Sequence, residues 1–293
     1  MTDARTLTNA LRGRWHGRYG VAPCPVCQPE GRRDQNALTL SDGRAGLLAN
    51  CKKSGCGFRD VLAAAGVAPG GYVPPDPASV AQREAERRAD AAKRERQAHA
   101  LWREAQPIGG TVAETYLRSR GIICDLPDTL RFHPHCWHGA TASKHSALVA
   151  LVEGGEGFAV HRTYLLPDGT GKAALDPNRA MLGAVAGGAV RLAQACGALA
   201  VAEGIETALS LSCGLLRGPA EVWAALSTSG LRGLRLPTEP GHLTIASDGD
   251  PPGRAAAQDL AARADALGWK VSILPAPMGR DWNDILTMKG HAA

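Results

Sequence analysis

The sequence predicts a mixed α/β protein, and three observations lead to this prediction. Two closely spaced pairs of cysteines near the start of the chain are typical of a small ribbon domain. A later stretch rich in Ala, Glu and Arg contains no Gly or Pro, which predicts one long, charged helix. After Cys196, short apolar runs alternate with helical segments, which is typical of a mostly parallel sheet covered by helices on both faces.

These patterns divide the chain into four parts. The four-cysteine ribbon is predicted over residues 1–70, and a linker with the charged helix over 71–106. An α+β subdomain follows over 107–195, and the domain with the parallel sheet occupies 196–293. The proline-rich segment GYVPPDP separates the ribbon from the charged helix, because a helix cannot continue through these prolines.

The distribution of charge separates the front of the chain from its rear. The 293 residues carry a formal net charge of +5, with +6 in residues 1–106 and −1 in the remainder. A basic front suits a polyanionic partner, whereas acids concentrated in the rear suit a metal site. An ordinary solvated surface is the alternative interpretation of the basic front.

The sequence offers no signal for a membrane or for export. It contains no run of ~18 uncharged apolar residues, so we expect no membrane-spanning helix and no membrane partner. The start of the chain, MTDARTLTNALRGRW, carries charges where a secretory signal would carry its apolar core. A cytoplasmic location is therefore expected.

Four of the eight cysteines form the two close pairs. CPVC supplies the first pair, and CKKSGC supplies the second after 23 intervening residues. Zn²⁺ prefers four soft ligands in a tetrahedron, and two tight turns that each present two thiolates meet this preference. The residues between the pairs read as a hairpin with a turn at Ser41-Asp42-Gly43. We therefore expect a structural zinc ion, with no position open for catalysis, bound by Cys24, Cys27, Cys51 and Cys56.

Basic and aromatic side chains surround the predicted ribbon. Trp15 can stack on a nucleobase, and basic side chains can contact phosphates. We therefore expect the ribbon to bind nucleic acid through Trp15, Arg33, Lys52 and Lys53. The charged helix over 78–106 has little apolar face, so an exposed connector between domains is the preferred interpretation. The alternative is that this helix lies along a nucleic-acid backbone.

The middle part combines a helix with a pair of strands. AETYLRSRGI predicts a helix that ends near Gly121. The apolar segments that follow predict two strands joined by the turn Glu-Gly-Gly-Glu-Gly. Four potential metal ligands precede these strands, but their spacing follows no familiar metal pattern, so a second zinc site is not expected there. The role of this cluster stays open; its members are His133, His135, Cys136 and His138.

Acidic side chains follow the strands of the predicted parallel sheet. Glu203 comes directly after the apolar run ALAVA, and Asp248 and Asp250 come directly after LTIAS. Because the carboxyl ends of parallel strands meet at one edge of a sheet, we expect these three carboxylates to converge. Clustered carboxylates repel one another unless cations neutralise them, and Mg²⁺ prefers such oxygen ligands. Asp281, after the next strand, is either a further ligand or only the N-cap of the last helix.

Three of these motifs resemble a known family. EGIETALS together with SDGDPPGRAAA resembles the Toprim domain, which DnaG-type primases, topoisomerases and several nucleases share. AETYLRSRG is similar to the helix that opens the primase catalytic core, and the four-cysteine ribbon is similar to the primase zinc domain. The motifs follow the family's order over most of the chain. The greatest resemblance is to the Toprim-containing primase-like proteins of phages, plasmids and integrated elements.

The resemblance implies roles for individual residues. Glu203 would be the general acid/base or a metal-associated acid, and Asp248 and Asp250 would bind Mg²⁺ or Mn²⁺. Asp281 matches the first acid of the primases' Asp-Pro-Asp motif, whereas Asn283 stands at the second position and implies no ligand there. The phosphates of the nucleotide would be held by three basic residues, namely Arg162, Lys172 and Arg179.

The resemblance implies a nucleotidyltransferase of the primase type. Such an enzyme synthesises short oligonucleotide primers on a single-stranded DNA template from nucleoside triphosphates. The alternatives are a Toprim nuclease and a non-catalytic DNA-binding accessory protein of a mobile element. The sequence contains no G-x-x-x-x-G-K-[ST] motif, so a replicative helicase is expected only as a separate partner.

Overall fold

The computed structural model describes residues 3–31, 36–43, 46–68 and 76–290. The chain separates into two units, Met1–Asp90 and Ala91–Ala293, and the division falls inside the predicted charged helix. No helix in the described ranges is both long enough and apolar enough to cross a bilayer.

The first unit contains a four-stranded antiparallel sheet. Helix α1 (Ala4–Ala10) precedes the sheet and α2 (Phe58–Ala64) follows it. Leu7 of α1 and Val61 of α2 are buried in one small apolar cluster with residues of the central strands. The third and fourth strands form the hairpin predicted between the cysteine pairs. In hydrogen-bonding order, the strands are β1 (Arg14–Trp15), β2 (Gly20–Ala22), β3 (Leu38–Asp42) and β4 (Leu47–Cys51).

The charged helix, α3 (Pro77–Glu104), differs from the expectation of an exposed connector. It begins at Pro77, because proline suits the first turn of a helix. Its second half packs into the second unit, where Ala98 is fully buried and belongs to an apolar cluster with Val149 and Val160. His99 stacks on Phe158 with ring centroids 3.7 Å apart. The second half of α3 is therefore part of a core.

The second unit begins with a five-stranded antiparallel sheet. Helix α4 (Val112–Ser119) is the predicted helix of the AETYLRSRGI segment. The histidine-rich segment, in contrast, forms a strand, β6, that the sequence did not predict. Its register shifts between His133 and Cys136, where Pro134 has no N–H to donate. In hydrogen-bonding order, the strands are β5 (Gln106–Pro107), β6 (Leu130–His138), β7 (Ser143–Val152), β8 (Ala159–Tyr164) and β9 (Arg179–Gly183).

The rest of the second unit alternates strands and helices, as predicted. The strands are β10 (Val190–Ala193), β11 (Ala198–Ala202), β12 (Glu221–Ala224), β13 (His242–Ser247) and β14 (Lys270–Pro275). They lie in the order β10-β12-β11-β13-β14, and only β10 is antiparallel to its neighbour. The helices are α5 (Ile205–Ser210), followed by a π-helical turn (Leu211–Leu215), then α6 (Thr228–Gly233), α7 (Pro251–Ala266) and α8 (Trp282–Gly290). The prediction of an α/β chain with a mostly parallel sheet is confirmed.

The central strand β11 shows why a continuous apolar run forms this sheet. Successive side chains of a strand point to opposite faces. Leu199 and Val201 are buried in the apolar cluster that contains Leu260 of α7. Ala200 and Ala202 are buried in a different cluster, on the side of α4 and α5. Both faces of the strand are therefore covered, and no position requires a polar residue until the strand ends.

Candidate active site and candidate metal centre

The four paired cysteines meet in the first unit. Their Sγ atoms all lie within 4.8 Å of one another, and those of Cys27 and Cys51 are 3.6 Å apart. Cys24 and Cys51 are buried, whereas Cys27 and Cys56 are partly exposed. Four thiolates at this spacing match the tetrahedral donor set of a structural zinc site. The predicted four-cysteine cluster is therefore present, and its chemistry fits zinc.

The cysteines of the cluster differ in pKa: backbone groups favour the thiolate form of Cys51, whereas burial raises the pKa of Cys24 and of Cys56. Burial alone would raise the pKa of Cys51. Backbone N–H groups that donate to its sulfur outweigh this effect, so the pKa is lowered to about 6. These donors belong to the turn at residues 53–56. Gln28 joins the first cysteine turn to the residue before β3, because its side-chain oxygen accepts hydrogen bonds from the backbone N–H groups of Cys24 (3.1 Å) and Ala37 (3.0 Å).

The predicted catalytic acids lie at the carboxyl edge of the parallel sheet. Glu203 directly follows β11, and Asp248 directly follows β13, its hydrogen-bonded parallel neighbour. Asp281 follows β14, which is the next strand of the sheet. The backbone N–H of Leu226, after β12, donates to the carbonyl oxygen of Glu203 at 2.7 Å. Four adjacent strand ends therefore form one rim around the acids.

A glycine sets the spacing of the Asp248-Gly249-Asp250 turn. A Cβ atom on Gly249 would overlap the carbonyl oxygen of Pro277. The backbone N–H of Gly249 donates to the carbonyl oxygen of Arg280 at 2.8 Å. The loop that leads to Asp281 is thus hydrogen-bonded directly to the turn. Only glycine allows this close approach of the two backbones.

The acids are close enough to shift one another's pKa. Burial raises the pKa of Asp248, and neighbouring carboxylates raise it further, to about 7. Those neighbours are Glu203, Asp281 and Asp250. Burial and then Asp250 also raise the pKa of Glu203. In the described part of the chain, the carboxylate oxygens of these acids do not lie close enough together to count as a group of three potential metal ligands, whereas the cysteine sulfurs do. A cation at this rim would relieve the repulsion among them.

Two of the acids also cap helices. Asp250 Oδ1 accepts a hydrogen bond from the backbone N–H of Gly253 at 2.7 Å, at the start of α7. Asp281 Oδ1 accepts from the backbone N–H of Asp284 at 2.8 Å, and Asp284 Oδ2 accepts from that of Asp281 at 3.1 Å. Asp281 therefore makes the hydrogen bond of a helix N-cap at the start of α8, which was one of its two expected roles. The second oxygen of each capping aspartate is left for another ligand.

Asn283 has a structural position in α8. Its side chain is fully buried, and its Nδ2 donates to the carbonyl oxygen of Arg120 (2.8 Å) and to Ser210 Oγ (2.9 Å). These bonds join α8 to the residue after α4 and to the end of α5. The amide thus anchors the helix and does not extend the acidic group.

The three predicted phosphate ligands differ in their contacts. Lys172 Nζ lies 2.8 Å from Glu206 Oε1, so its charge is already paired. The guanidinium of Arg162 donates to the carbonyl oxygens of Trp137 (3.2 Å) and Met181 (3.4 Å). Arg179 is exposed at the start of β9, and its charge lowers the pKa of both Glu203 and Asp248. Among these three, Arg179 is therefore the residue whose charge acts on the acids of the rim.

A buried polar network next to the rim was missed by the sequence reasoning. Glu206 is 7% exposed, and its Oε1 accepts a hydrogen bond from Tyr116 Oη at 2.6 Å and also lies 2.8 Å from Lys172 Nζ. Burial alone would raise the pKa of Glu206, but Lys172 and Tyr116 lower it to about 2. The signal was an acid inside the otherwise buried helix IETALS, since a buried charge must be paired. The network joins the AETYLRSRG helix to the Toprim-like motif.

His161 predicts how stability depends on pH. It is 4% exposed, and burial lowers its pKa to about 4, below the ~6.5 of an unfolded histidine. The folded state therefore loses stability as pH falls from about 6.5 through 4, because the unfolded chain binds the proton first. Glu206, with its lowered pKa, adds a loss only below the unfolded value of 4.5.

We expect wild type to lose about 2 kcal/mol between pH 7 and pH 5 through this histidine. The variant His161→Gln should lose less over the same interval in urea unfolding monitored by circular dichroism. His135→Gln, which changes an exposed histidine, serves as the matched control and should follow wild type. A His161→Gln profile parallel to wild type would contradict the assignment.

The structure separates the predicted nucleic-acid contacts. Trp15 lies on β1, at one edge of the ribbon sheet, and is partly buried. Lys52 and Lys53 are exposed in the turn after β4, which is the opposite edge. Arg33 lies outside the described residues. Trp15 and the two lysines therefore do not form a single clamp.

The histidine-rich cluster on β6 makes local hydrogen bonds. His138 bonds through Nδ1 to Thr141 Oγ1 (2.7 Å) and through Nε2 to the carbonyl oxygen of Pro177 (2.9 Å). His133 Nε2 lies 3.5 Å from a carboxylate oxygen of Glu104. Within the described ranges, these residues are not grouped closely enough to hold a metal ion.

Solved structures with a similar fold include three primase structures. One is a DNA primase domain from Pseudomonas aeruginosa, at 16% identity over 67% of this chain and 75% of that chain, with a TM-score of 0.41. Another is the Aquifex aeolicus primase (zinc binding and RNA polymerase domains), at 13% identity over 100% and 84%, with a TM-score of 0.41. The third is the RNA polymerase domain of Mycobacterium tuberculosis primase DnaG, at 17% identity over 69% and 80%, with a TM-score of 0.38.

Family models match most of the second unit. Residues 92–192 match a family described as a domain of unknown function (DUF7146). Residues 198–292 match the Toprim domain, which confirms the resemblance of the two acidic motifs. No curated protein sequence matches the chain. The chain therefore carries a Toprim domain, and this domain contains Glu203, Asp248, Asp250 and Asp281.

Proposed function

We propose that the chain is a metal-dependent nucleotidyltransferase of the primase type, which makes short oligonucleotides on single-stranded DNA. The proposal rests on one observation: at the strand ends of a Toprim domain, burial and then the neighbouring carboxylates raise the pKa of Asp248 to about 7. A carboxyl group whose pKa is raised this far by burial and by like charges marks a functional site more often than a structural one. Divalent cations are the natural counter-charge for carboxylates at this position.

The acids would divide the chemistry between them. Asp248 and the uncapped oxygens of Asp250 and Asp281 would hold Mg²⁺ or Mn²⁺. The bound ion supplies charge stabilisation on the attacking and leaving oxygens. Glu203, whose pKa is raised, would accept the proton from a 3′-hydroxyl as that oxygen bonds to the α-phosphorus of a nucleoside triphosphate and pyrophosphate departs. Arg179 would hold the phosphate oxygens.

Partners follow from this chemistry. A template strand of single-stranded DNA and nucleoside triphosphates are the substrates of the proposed reaction. The cysteine cluster would hold a structural Zn²⁺ and keep the ribbon folded near the strand. A replicative helicase acting as a separate protein, and a cytoplasmic location, belong to the same proposal.

A nuclease is the second candidate, and the contacts of the basic residues favour it. A triphosphate needs several cations, yet Lys172 is paired with Glu206 and Arg162 is bound to carbonyl oxygens. A nuclease needs to bind only one phosphodiester between metal and carboxylates, so Arg179 would suffice. Water would then replace the 3′-hydroxyl as the attacking group.

One assay separates the candidates. Wild type, Glu203→Gln and the matched control Glu239→Gln, an exposed acid of the same domain, are incubated with labelled nucleotides, single-stranded DNA and Mg²⁺ or Mn²⁺. We expect new oligonucleotides from wild type and Glu239→Gln, and a loss of about 100- to 1,000-fold in Glu203→Gln. Shortened DNA would instead support the nuclease. DNA binding without either product would support an accessory protein, and full activity of Glu203→Gln would contradict both enzymatic candidates.

A further inference from the structure

A basic cleft lies in the first unit, at the edge of the ribbon sheet opposite to the turn that carries Lys52 and Lys53. It runs between the β1–β2 hairpin and the first half of α3 and has a volume of about 220 Å³. We call it the Trp15 cleft. Its polar and aromatic lining consists of Trp15, Arg18, Asp42, Arg83, Glu84 and Arg87.

The cleft combines an aromatic ring with arginines. Trp15 lines the cleft and is partly exposed, and the rings of His16 and Tyr19 stack 5.3 Å apart in the adjoining turn. Arg18 is exposed in the same turn. Aromatic faces bind nucleobases by stacking, and guanidinium groups bind phosphates through paired N–H donors. This combination is the chemistry of single-stranded nucleic-acid recognition.

Arg87 is held in place and forms a long ion pair with Glu84 that leaves hydrogen-bond donors of the guanidinium unused. A Cβ atom on Gly17 would lie 3.5 Å from Arg87 Cδ, so the stem of the arginine packs on the hairpin turn. Its Nη2 is 3.8 Å from Glu84 Oε1, which is too long for a hydrogen bond. Its Nε is buried and has no hydrogen-bond partner. A buried donor without a partner is costly, and an anionic ligand would satisfy it.

The size of the cleft limits the ligand. Sites for drug-sized molecules span ~300–1,000 Å³, so about 220 Å³ suits a smaller group such as one nucleotide of a longer strand. We propose that the Trp15 cleft binds one nucleotide of a single-stranded nucleic acid, with the base on Trp15 and the phosphate on Arg18 and Arg87. This cleft would be a contact with the nucleic acid in addition to the acidic rim. That the bound nucleic acid is the single-stranded DNA template rests on the proposed function.

Binding of a fluorescein-labelled 20-mer of deoxythymidine, followed by anisotropy at several salt concentrations, tests the proposal. The variant Arg18→Gln/Arg87→Gln removes two phosphate contacts, so the slope of log K against log salt should fall by about 1.4. Arg88→Gln/Arg94→Gln is the matched control, because both arginines are exposed on α3 and lie outside the cleft. Trp15→Ala should weaken binding by about 5- to 150-fold, and Trp15→Phe should restore part of it.

The outcomes are distinct. A loss in the cleft variants with an unchanged control supports the site, whereas equal losses in both double variants, or no loss, overturn it. Arg18→Gln alone changes an exposed turn residue, so it tests the site even if the Arg87 change disturbs folding. If wild type makes no oligonucleotide but the cleft variants still lose binding, the proposed function fails and the cleft stands. If Glu203→Gln loses synthesis while the cleft variants bind normally, only the cleft proposal fails.

Discussion

Asp248→Asn is expected to remove nucleotide transfer while making the metal-free protein more stable. The carboxylate is placed to hold the cation, so its loss should lower the rate of oligonucleotide synthesis at least about 100- to 1,000-fold. Asparagine keeps the shape of the side chain, so the Asp-Gly-Asp turn should persist. Synthesis is measured with labelled nucleotides at saturating Mg²⁺. Asp265→Asn, which changes an exposed aspartate near the end of α7, is the matched control.

The stability change follows from the sign of the pKa shift. The pKa of Asp248 is about 7 in the folded state and 3.8 without the fold. Ionisation is therefore harder in the folded protein, and stability falls as pH rises from about 4 through 7. Without added magnesium at pH 8, the melting temperature of Asp248→Asn should exceed that of wild type, by about 2–4 °C for each kcal/mol that charge burial and repulsion cost the wild type. Added Mg²⁺ should stabilise wild type more than the variant. A variant that is less stable and still active would contradict both the repulsion and the metal role.

Cys24→Ser should unfold the ribbon. The first unit has one small apolar cluster, and small units of this kind depend on their metal for folding. Structural zinc in small domains contributes apparent binding energies of about 10–16 kcal/mol, and a missing thiolate removes a large part of this. We expect zinc content near one per chain in wild type and well below it in the variant, measured by atomic emission. Limited proteolysis should then cut within residues 3–68.

Cys196→Ser provides the control for this experiment. Cys196 is exposed and stands outside the cluster, so its variant should keep the zinc content and protease resistance of wild type. The second unit has its own apolar clusters, so a protected fragment from this unit should survive in Cys24→Ser. If Cys24→Ser retained both wild-type zinc content and an intact ribbon, the cluster would not be the source of the ribbon's stability.

The elements that sequence predicted well are those fixed by local pattern. The run ALAVA predicts β11 because both of its faces are buried, and the cysteine pairs predict the ribbon because their turns carry a fixed spacing. The acids were placed correctly at the strand ends, since a parallel sheet has only one carboxyl edge. Their roles in catalysis stay predictions.

The elements that sequence missed depend on distant partners. Strand β6 contains Pro134 and several histidines, and it forms because it pairs with β5 on one side and with the apolar β7 on the other. Strand β10 lies within a run of Gly and Ala that reads as a loop, and β12 holds it in place. The pairing of Lys172 with Glu206 joins residues far apart in the chain, so no local pattern indicates it. The burial of Ala98 in α3 likewise depends on a sheet that forms later in the sequence.

Asn283 has a consequence for how the rim responds to acidity. Its side-chain amide donates two hydrogen bonds that fix α8, and an amide carries no charge at any physiological pH. The helix that begins at Asp281 is therefore fixed by a group that cannot titrate, next to an aspartate that titrates near neutrality. A change of proton concentration thus alters how much charge the rim carries while leaving the location of Asp281 unchanged.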